Sequence, residues 1–142
     1  MPDTVLVALD GSPLSERALT YAIDTFPDAT ITTIHVIDPV DSVIDVEAGG
    51  LPVAEGWYDD ARERASSIHT TAADLAAERG TELDSATEVG KPARAILEYA
   101  DDHGIDQIVV GSHGRSGIDR TLLGSVAETI TRRARIPVTV VG

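Results

Sequence analysis

The sequence predicts an α/β domain in which helices cover both faces of a five-stranded parallel sheet, forming a three-layer sandwich. Five short apolar runs, rich in β-branched residues, alternate with four longer segments whose apolar residues recur at helical spacing. Each connection between consecutive strands is long enough to hold a helix, which favours parallel pairing with right-handed crossovers. At 142 residues the chain has the size of one domain, so we assign residues 1–142 to a single domain.

The predicted strands are mostly continuous apolar runs, as expected for strands that are covered on both faces. Asp10 and Gly11 end the first run, and Asp38 and Pro39 end the second, because these residue types favour turns. Residues 40–56 show no clean period, so we expect a functional or mobile loop there. The five runs comprise residues 4–9, 31–37, 83–89, 107–110 and 136–141.

Four segments between the strands carry an apolar stripe at helical spacing. Ser12 and Pro13 are a typical N-cap and first residue for the first helix. We predict the second helix over residues 57–79, where Gly80 follows as a C-terminal cap. The third helix follows Pro92, and the fourth spans about residues 124–134. The stripe of the first helix consists of Leu14, Ala18, Tyr21, Ala22 and Ile23.

The chain is strongly acidic, with 24 acidic and 11 basic side chains and a formal charge of −13. Such a charge repels nucleic acids and anionic membrane surfaces, so we expect it to bind neither. Aspartate outnumbers glutamate 15 to 9, and Lys91 is the one lysine. This pattern predicts a halophilic protein, whose self-repulsion is screened by molar salt. An acidic face that docks a basic partner is the alternative.

The sequence contains no cysteine, which excludes disulfides, thiolate metal sites and cysteine nucleophiles.

The sequence also predicts where the protein is found. No stretch approaches the roughly 18 apolar residues that a membrane span needs, and the first residues lack a basic region before an apolar stretch. We therefore expect a soluble, cytoplasmic protein.

The strongest functional signal is a glycine pattern that begins where the fourth predicted strand ends. It reads Gly111-x2-Gly114-x9-Gly124-Ser125 and finishes at the start of the last helix. Glycines allow the backbone to approach a phosphate, and a helix N-terminus adds unpaired amides and a positive dipole end. The pattern predicts a phosphate-binding loop; a plain strand-to-helix connection is the alternative reading.

This pattern resembles the nucleotide-binding signature of the universal stress protein family. The resemblance extends over almost the whole chain, through V-L-V-A-L-D-G at residues 5–11, His35-Val36, Gly90-Lys91-Pro92 and Ile136-Pro137-Val138. It implies an adenine nucleotide alpha hydrolase-like fold with strand order 3-2-1-4-5. It also implies a homodimer, and ATP held at the carboxyl edge between the first and fourth strands.

The resemblance also implies which residues contact the nucleotide. Ala8 and Asp10 would lie against adenosine, and the backbone of Val36 would meet adenine. An acid repels phosphate, so Asp10 suits the ribose or Mg²⁺ better, or it serves only to tie down the turn at Gly11 and Ser12. The residues that would wrap the ribose and phosphates are Gly111, Ser112, His113, Gly114, Arg115, Ser116, Gly117, Gly124, Ser125, Val126 and Ala127.

The last predicted strand, from Ile136 to Val141, is short and apolar. In the implied strand order it lies at an edge of the sheet, and an apolar edge must be covered or paired. Pairing with its twin across a two-fold axis covers it, which agrees with the homodimer that the resemblance implies.

Together these features predict an ATP-binding stress-response regulator or sensor, with Mg²⁺ and an unidentified protein partner. No catalytic base, poised nucleophile or Walker-type lysine is visible, since Lys91 lies in a different loop. We therefore expect slow ATP hydrolysis at most. Two alternatives remain open: a weak ATPase or phosphotransferase that uses Asp10 and Arg115, and a nucleotide-free dimeric interaction module.

Overall fold

A single parallel sheet, covered by helices on both faces, organises the chain. The computed structural model describes residues 1–39, 56–114 and 123–142. The strand order is β3-β2-β1-β4-β5, and all neighbours pair in parallel. The predicted fold class and strand order are confirmed. The strands are β1 (Thr4–Ala8), β2 (Thr30–Ile37), β3 (Leu83–Val89), β4 (Gln107–Gly111) and β5 (Val138–Val141).

The helices of the described ranges divide into two pairs, one on each face of the sheet. They are α1 (Pro13–Thr25), α2 (Trp57–Glu78), α3 (Pro92–Asp102) and α4 (Ser125–Arg133). On β1, Val5 and Val7 pack beneath α1 and α2, whereas Leu6 packs beneath α3 and α4. This alternation explains the continuous apolar run of β1, because each of its faces belongs to a core.

The first helix begins as predicted, and one residue of its apolar stripe is exposed. The Ser15 amide donates to the Ser12 hydroxyl oxygen at 3.1 Å, and Pro13 is the first helical residue. Ala18 and Ala22 are fully buried on the stripe, but Tyr21 is 41% exposed. Tyr21 lies at the edge of the apolar face of the helix, so it belongs to the stripe only at its margin.

The last strand is shorter than the predicted run of residues 136–141. The Pro137 carbonyl accepts a hydrogen bond from the Ile108 amide at 3.0 Å, but Pro137 has no amide to donate. The ladder with β4 therefore begins at Val138, which pairs with Ile108. The strand lies at the edge of the sheet, as the implied order required.

Two further expectations concern regions outside the sheet. Apart from Gly56, the loop that we predicted at residues 40–56 lies outside the described residues. Within the described ranges, no helix has the length and hydropathy needed to cross a membrane.

Candidate nucleotide-binding site

The glycine signature forms one continuous backbone surface at the carboxyl edge of β4. The Ser112 amide donates to the Val141 carbonyl at 2.8 Å, which continues the sheet by one residue. The Ser112 carbonyl in turn accepts from the Gly124 amide at 2.7 Å. Residues 112–114 are thereby held against the start of α4, although Gly124 follows ten residues later in the chain.

The signature glycines are required by close approach rather than by unusual backbone angles. None of Gly111, Gly114 and Gly124 has a positive φ. A Cβ at Gly124 would lie 3.2 Å from the Ser112 carbonyl oxygen and 3.3 Å from the His113 Cα. A Cβ at Gly111 would lie 3.2 Å from the Leu14 Cγ. Larger residues would push β4, α1 and α4 apart at this edge.

Asp10 lies opposite the loop and uses its two carboxylate oxygens differently. Oδ1 accepts from the Ser12 amide at 2.9 Å, so Asp10 does tie down the turn before α1. Oδ2 faces Gly114, where an added Cβ would lie only 2.7 Å from it. The turn-forming role is therefore observed, and one carboxylate oxygen still faces the glycine loop.

The start of α4 has unused hydrogen-bonding capacity for an anion. Gly124 is the N-cap and no side chain caps the helix. The amides of Ser125, Val126 and Ala127 have no acceptor within the helix because they belong to its first turn. Unpaired amides and the helix dipole at this position suit a phosphate group. For a cation such as Mg²⁺, the predicted site residues offer the Asp10 carboxylate and the serine hydroxyls.

His113 carries a buried nitrogen that lacks a hydrogen bond. Its Nδ1 lies 3.0 Å from the Ser112 hydroxyl oxygen, and the described part of the chain gives its Nε2 no partner. A buried polar atom without a partner is costly, and such an atom fits a site completed by a ligand. His113 was predicted among the nucleotide contacts from its place in the signature.

The remaining predicted contacts are only partly located. Ala8 is the half-buried last residue of β1, and Val36 is buried near the end of β2 on the face beneath α3. Both lie at the carboxyl edge of the sheet, on strands adjacent to each other. Arg115, Ser116 and Gly117 lie outside the described residues.

A separate cavity of about 150 Å³ lies between α1 and α2. It borders the Asp10 turn at Leu9 and Gly11, but none of the predicted nucleotide contacts lines it. The cavity therefore flanks the Asp10 turn and is not part of the glycine loop. Its other lining residues are Ser15, Glu16, Arg64, Ser67, Ile68, Thr71 and Ala72.

The structure adds two residues that support the Asp10 turn and that we did not predict in this role. The His35 Nδ1 donates to the Leu9 carbonyl at 2.8 Å, which ties the end of β1 to β2. Ile68 of α2 covers Gly11, whose added Cβ would lie 3.4 Å from the Ile68 Cδ1. In the sequence His35 was noted as part of the His35-Val36 segment of the resemblance, not as a support of this turn. Its contact depends on the register of β1 and β2, which a single sequence does not reveal.

These features define a doubly wound α/β protein with a glycine loop set against a helix N-terminus, where the strand order reverses between β1 and β4. The universal stress protein family matches residues 1–142, and the chain belongs to this family.

Three known proteins are similar to this chain over nearly its full length. The universal stress protein YxiE of Bacillus subtilis is 32% identical over 147 residues, covering 99% of each chain. The solved structure of the Methanocaldococcus jannaschii protein MJ0577 is 26% identical, with a TM-score of 0.81, and covers 98% of this chain and 94% of its own. A universal stress protein solved in complex with cAMP is 28% identical, with a TM-score of 0.69, covering 99% and 97%.

Proposed function

We propose that this protein binds ATP, together with Mg²⁺, at the carboxyl edge between β1 and β4, and that it acts as a nucleotide-dependent regulator or sensor in the stress response. The observation that carries the proposal is the contact of residues 112–114 with Gly124 at the uncapped start of α4. The structural relative in complex with cAMP supports an adenine nucleotide as the class of ligand.

Each part of the site suits a different part of the nucleotide. The first-turn amides of α4 and the hydroxyls of Ser112 and Ser125 would hold phosphate oxygens. The unpartnered His113 Nε2 would donate one further hydrogen bond. The free Asp10 oxygen would contact the ribose or a Mg²⁺ ion, because a carboxylate directly on the phosphates would repel them. Ala8 and Val36 would border the base, and Arg115, Ser116 and Gly117 would close over the phosphates.

A regulatory role is favoured over rapid catalysis by the charges available in the described site. Lys91 is the N-cap residue of α3, which follows β3 rather than β4. P-loop enzymes place a lysine on the phosphates. The described site residues include no lysine that could do so. We propose that ATP hydrolysis is at most slow and that bound nucleotide changes the affinity for a protein partner.

The same proposal includes a homodimer formed through the exposed edge of β5, in a cytoplasmic and halophilic setting. β5 is an edge strand whose four residues are all half-buried in the single chain. A two-fold partner would pair its open side and remove an aggregation-prone edge. The charge of −13 fits a cytoplasm of high salt concentration.

The decisive test measures bound nucleotide and its dependence on Gly114. The protein is purified in molar KCl, denatured, and its released small molecules are identified by mass spectrometry. Titration calorimetry then measures the Kd for Mg-ATP, which we expect in the micromolar range. Gly114→Ala should raise this Kd more than tenfold, because its Cβ displaces Asp10 and crowds the loop.

Gly142→Ala is the matched control, because its added Cβ would make only an ordinary contact, 3.9 Å from the Ser112 Oγ. It should bind Mg-ATP like the wild type. If neither released nucleotide nor Mg-ATP binding is found, the proposal is wrong and the protein is an interaction module. Rapid turnover that is lost in Gly114→Ala would instead favour an ATPase.

A further inference from the structure

A polar cluster lies inside the contact between α2 and the sheet, beside the Asp10 turn. His69 of α2 sits between two strands: its Nδ1 is 3.2 Å from the Thr33 hydroxyl of β2, and its Nε2 is 3.1 Å from the Thr87 hydroxyl of β3. A neutral imidazole donates to one hydroxyl and accepts from the other, so both ring nitrogens are satisfied. We call His69, His35, Thr33 and Thr87 the histidine cluster.

The histidine cluster interrupts an otherwise apolar interface. Towards one end of β2, Ile31 packs with Ala72 and Ala76 of α2, and towards the other end Ile37 packs with Ala61 and Ala65. The cluster lies between these two apolar contacts. The docking of α2 on the sheet therefore depends on the free energy of burying the histidine cluster between these two apolar contacts.

The carboxylates of β3 and α1 lie away from His69 and do not balance a positive charge there. On β3, side chains alternate between the two faces, so Asp84 and Glu88 lie on the face opposite Thr87. There burial, and after it the proximity of these two carboxylates, raises the pKa of Tyr99. One helical turn from His69, α2 carries only alanine and serine, at residues 65, 66, 72 and 73. On α1, Glu16 borders the separate cavity and Asp24 pairs with Arg79 at 3.2 Å.

The titratable group that does lie close to His69 is a second histidine. Burial, followed by the proximity of His35, lowers the pKa of His69, and the Ala86 backbone opposes this shift. Protonated His69 would still donate to both threonine hydroxyls. The cost of protonation is therefore desolvation and repulsion rather than lost hydrogen bonds, and moving α2 away from the sheet relieves both.

Two contacts connect this cluster to the candidate nucleotide site. His35 donates to the Leu9 carbonyl, immediately before Asp10. The residue before His69 is Ile68, which covers Gly11 of the same turn. A shift of α2 therefore uncovers Gly11 while it changes the surroundings of His35, and the turn that directs Asp10 towards Gly114 loses support on both sides.

We propose that the histidine cluster is a proton-sensitive link between the docking of α2 and the nucleotide site, so that protonation in mildly acidic conditions loosens α2 and weakens nucleotide binding. The part that concerns α2 stands on the structure alone, and the part that concerns binding rests on the proposed function. His35 and His69 act as positioning residues, since neither belongs to the predicted nucleotide contacts.

The first measurement needs no nucleotide. Trp57 is the one tryptophan of the chain, it begins α2, and it packs against Ile37, Ala61 and Ala65. Its fluorescence emission maximum therefore reports whether α2 is docked. From about pH 7.5 to about pH 5.5, in molar KCl, we expect a red shift in the wild type but not in His69→Gln, whose amide can bond both threonines without titrating.

Two further variants keep this test decisive. His35→Gln retains a donor for the Leu9 carbonyl but removes the group whose proximity opposes protonation of His69. The docking of α2 should then respond less to protonation, so the red shift should become smaller. His103→Gln removes an exposed histidine that stacks on Tyr99 at the end of α3, in the opposite layer. It should behave like the wild type. A constant emission maximum in the wild type, or an equal shift in His69→Gln, overturns the proposal.

The second measurement is the Kd for Mg-ATP at the same pH values. The terminal phosphate of ATP titrates in this range too, but that change is shared by all variants. As the pH falls, we expect the affinity of the wild type for Mg-ATP to decrease about fivefold or more relative to that of His69→Gln. A fivefold change is at the lower end of the range that is typical of coupling between two sites.

The outcomes separate this inference from the proposed function. If Mg-ATP binds but the wild type and His69→Gln respond equally to pH, the link is overturned while the proposed function stands. If Mg-ATP binds at no pH, the proposed function fails and the binding half of the link fails with it. The Trp57 red shift then decides the α2 half by itself.

Discussion

Asp10 and Gly114 form the contact on which the predicted nucleotide site depends most directly. One Asp10 oxygen is used by the Ser12 amide, and the other occupies the space where a side chain at residue 114 would begin. The two residues are separated by more than a hundred positions in the chain, yet a side chain at residue 114 would collide with Asp10. This explains at the level of atoms why the second glycine of the signature is a glycine.

A double-mutant cycle should detect this contact in the ligand-free protein. Gly114→Ala should lower the free energy of unfolding by about 1–3 kcal/mol, because the new Cβ overpacks against Asp10 Oδ2. In the background of Asp10→Ala the same change should cost little. Denaturant unfolding of the four proteins measures the coupling. Additive effects of the two substitutions would show that the residues do not contact each other in solution.

At the scale of elements, Asp106 fastens the amino end of β1 to the segment that leads into β4. Its Oδ2 accepts from the amides of Asp3 and Thr4, at 3.0 and 3.1 Å, and from the Thr4 hydroxyl at 3.2 Å. The Asp106 amide donates in return to the Thr4 hydroxyl oxygen at 3.1 Å. The two central strands are thus joined at the edge of the sheet opposite the nucleotide site.

Replacing Asp106 should destabilise the protein in a pH-dependent way. The hydrogen bonds from the Asp3 and Thr4 amides lower the pKa of this carboxyl below its usual value near 3.8. Its stabilising contribution is therefore complete above that value and is lost as the pH falls below it. Asp106→Ala should lower the melting temperature at pH 7 by a few degrees, and less so in strong acid. Asp102→Ala, at the exposed end of α3, is the control. A difference that persists unchanged in acid would contradict the assignment.

At the scale of the whole molecule, the open side of β5 is the predicted dimer surface. The Pro137 carbonyl accepts from the Ile108 amide of β4, and the Val141 carbonyl accepts from the Ser112 amide just after β4. The main-chain groups of Val138 and Val140 therefore point away from the sheet. Val140→Pro should remove one outward amide without breaking a bond to β4. We expect light scattering to give twice 14.9 kDa for the wild type and a monomer for Val140→Pro.

Val140→Thr, which keeps the amide and the β-branched shape, should remain dimeric. If the wild type is monomeric in molar salt, the edge of β5 is covered in some other way and the dimer proposal is wrong. If Val140→Pro remains dimeric while folded, the dimer uses a different surface.

The net charge of −13 makes the stability of the whole molecule dependent on salt. Repulsion between surface carboxylates acts over about 30 Å at 0.01 M salt but over only about 3 Å at 1 M. The three described salt bridges are at the surface, so they offset little of it. The melting temperature should rise by several degrees between low and molar KCl. An equal rise in an uncharged osmolyte of matched osmolality would exclude charge screening as the cause.

Most element boundaries were predicted to within two residues, because caps and periodicity are local properties of the chain. The N-cap at Ser12 is one example, and the end of α2 just before Gly80 is another. The exposed Tyr21 and the shortened β5 were not predicted, since both depend on how an element meets its neighbours. The role of His69 was not predicted, because no local sequence pattern shows that a helix residue will contact two strands.

The sequence by itself determined the class of fold and the glycine signature, and the resemblance added the strand order. These features follow from residue patterns spaced along one element or one loop. Only the tertiary structure decided that Asp10 faces Gly114, that His35 holds the Leu9 carbonyl, and that His69 bridges β2 and β3. Each of these contacts joins residues from different elements. Strand register and helix docking set such contacts, and both result from packing the whole core at once.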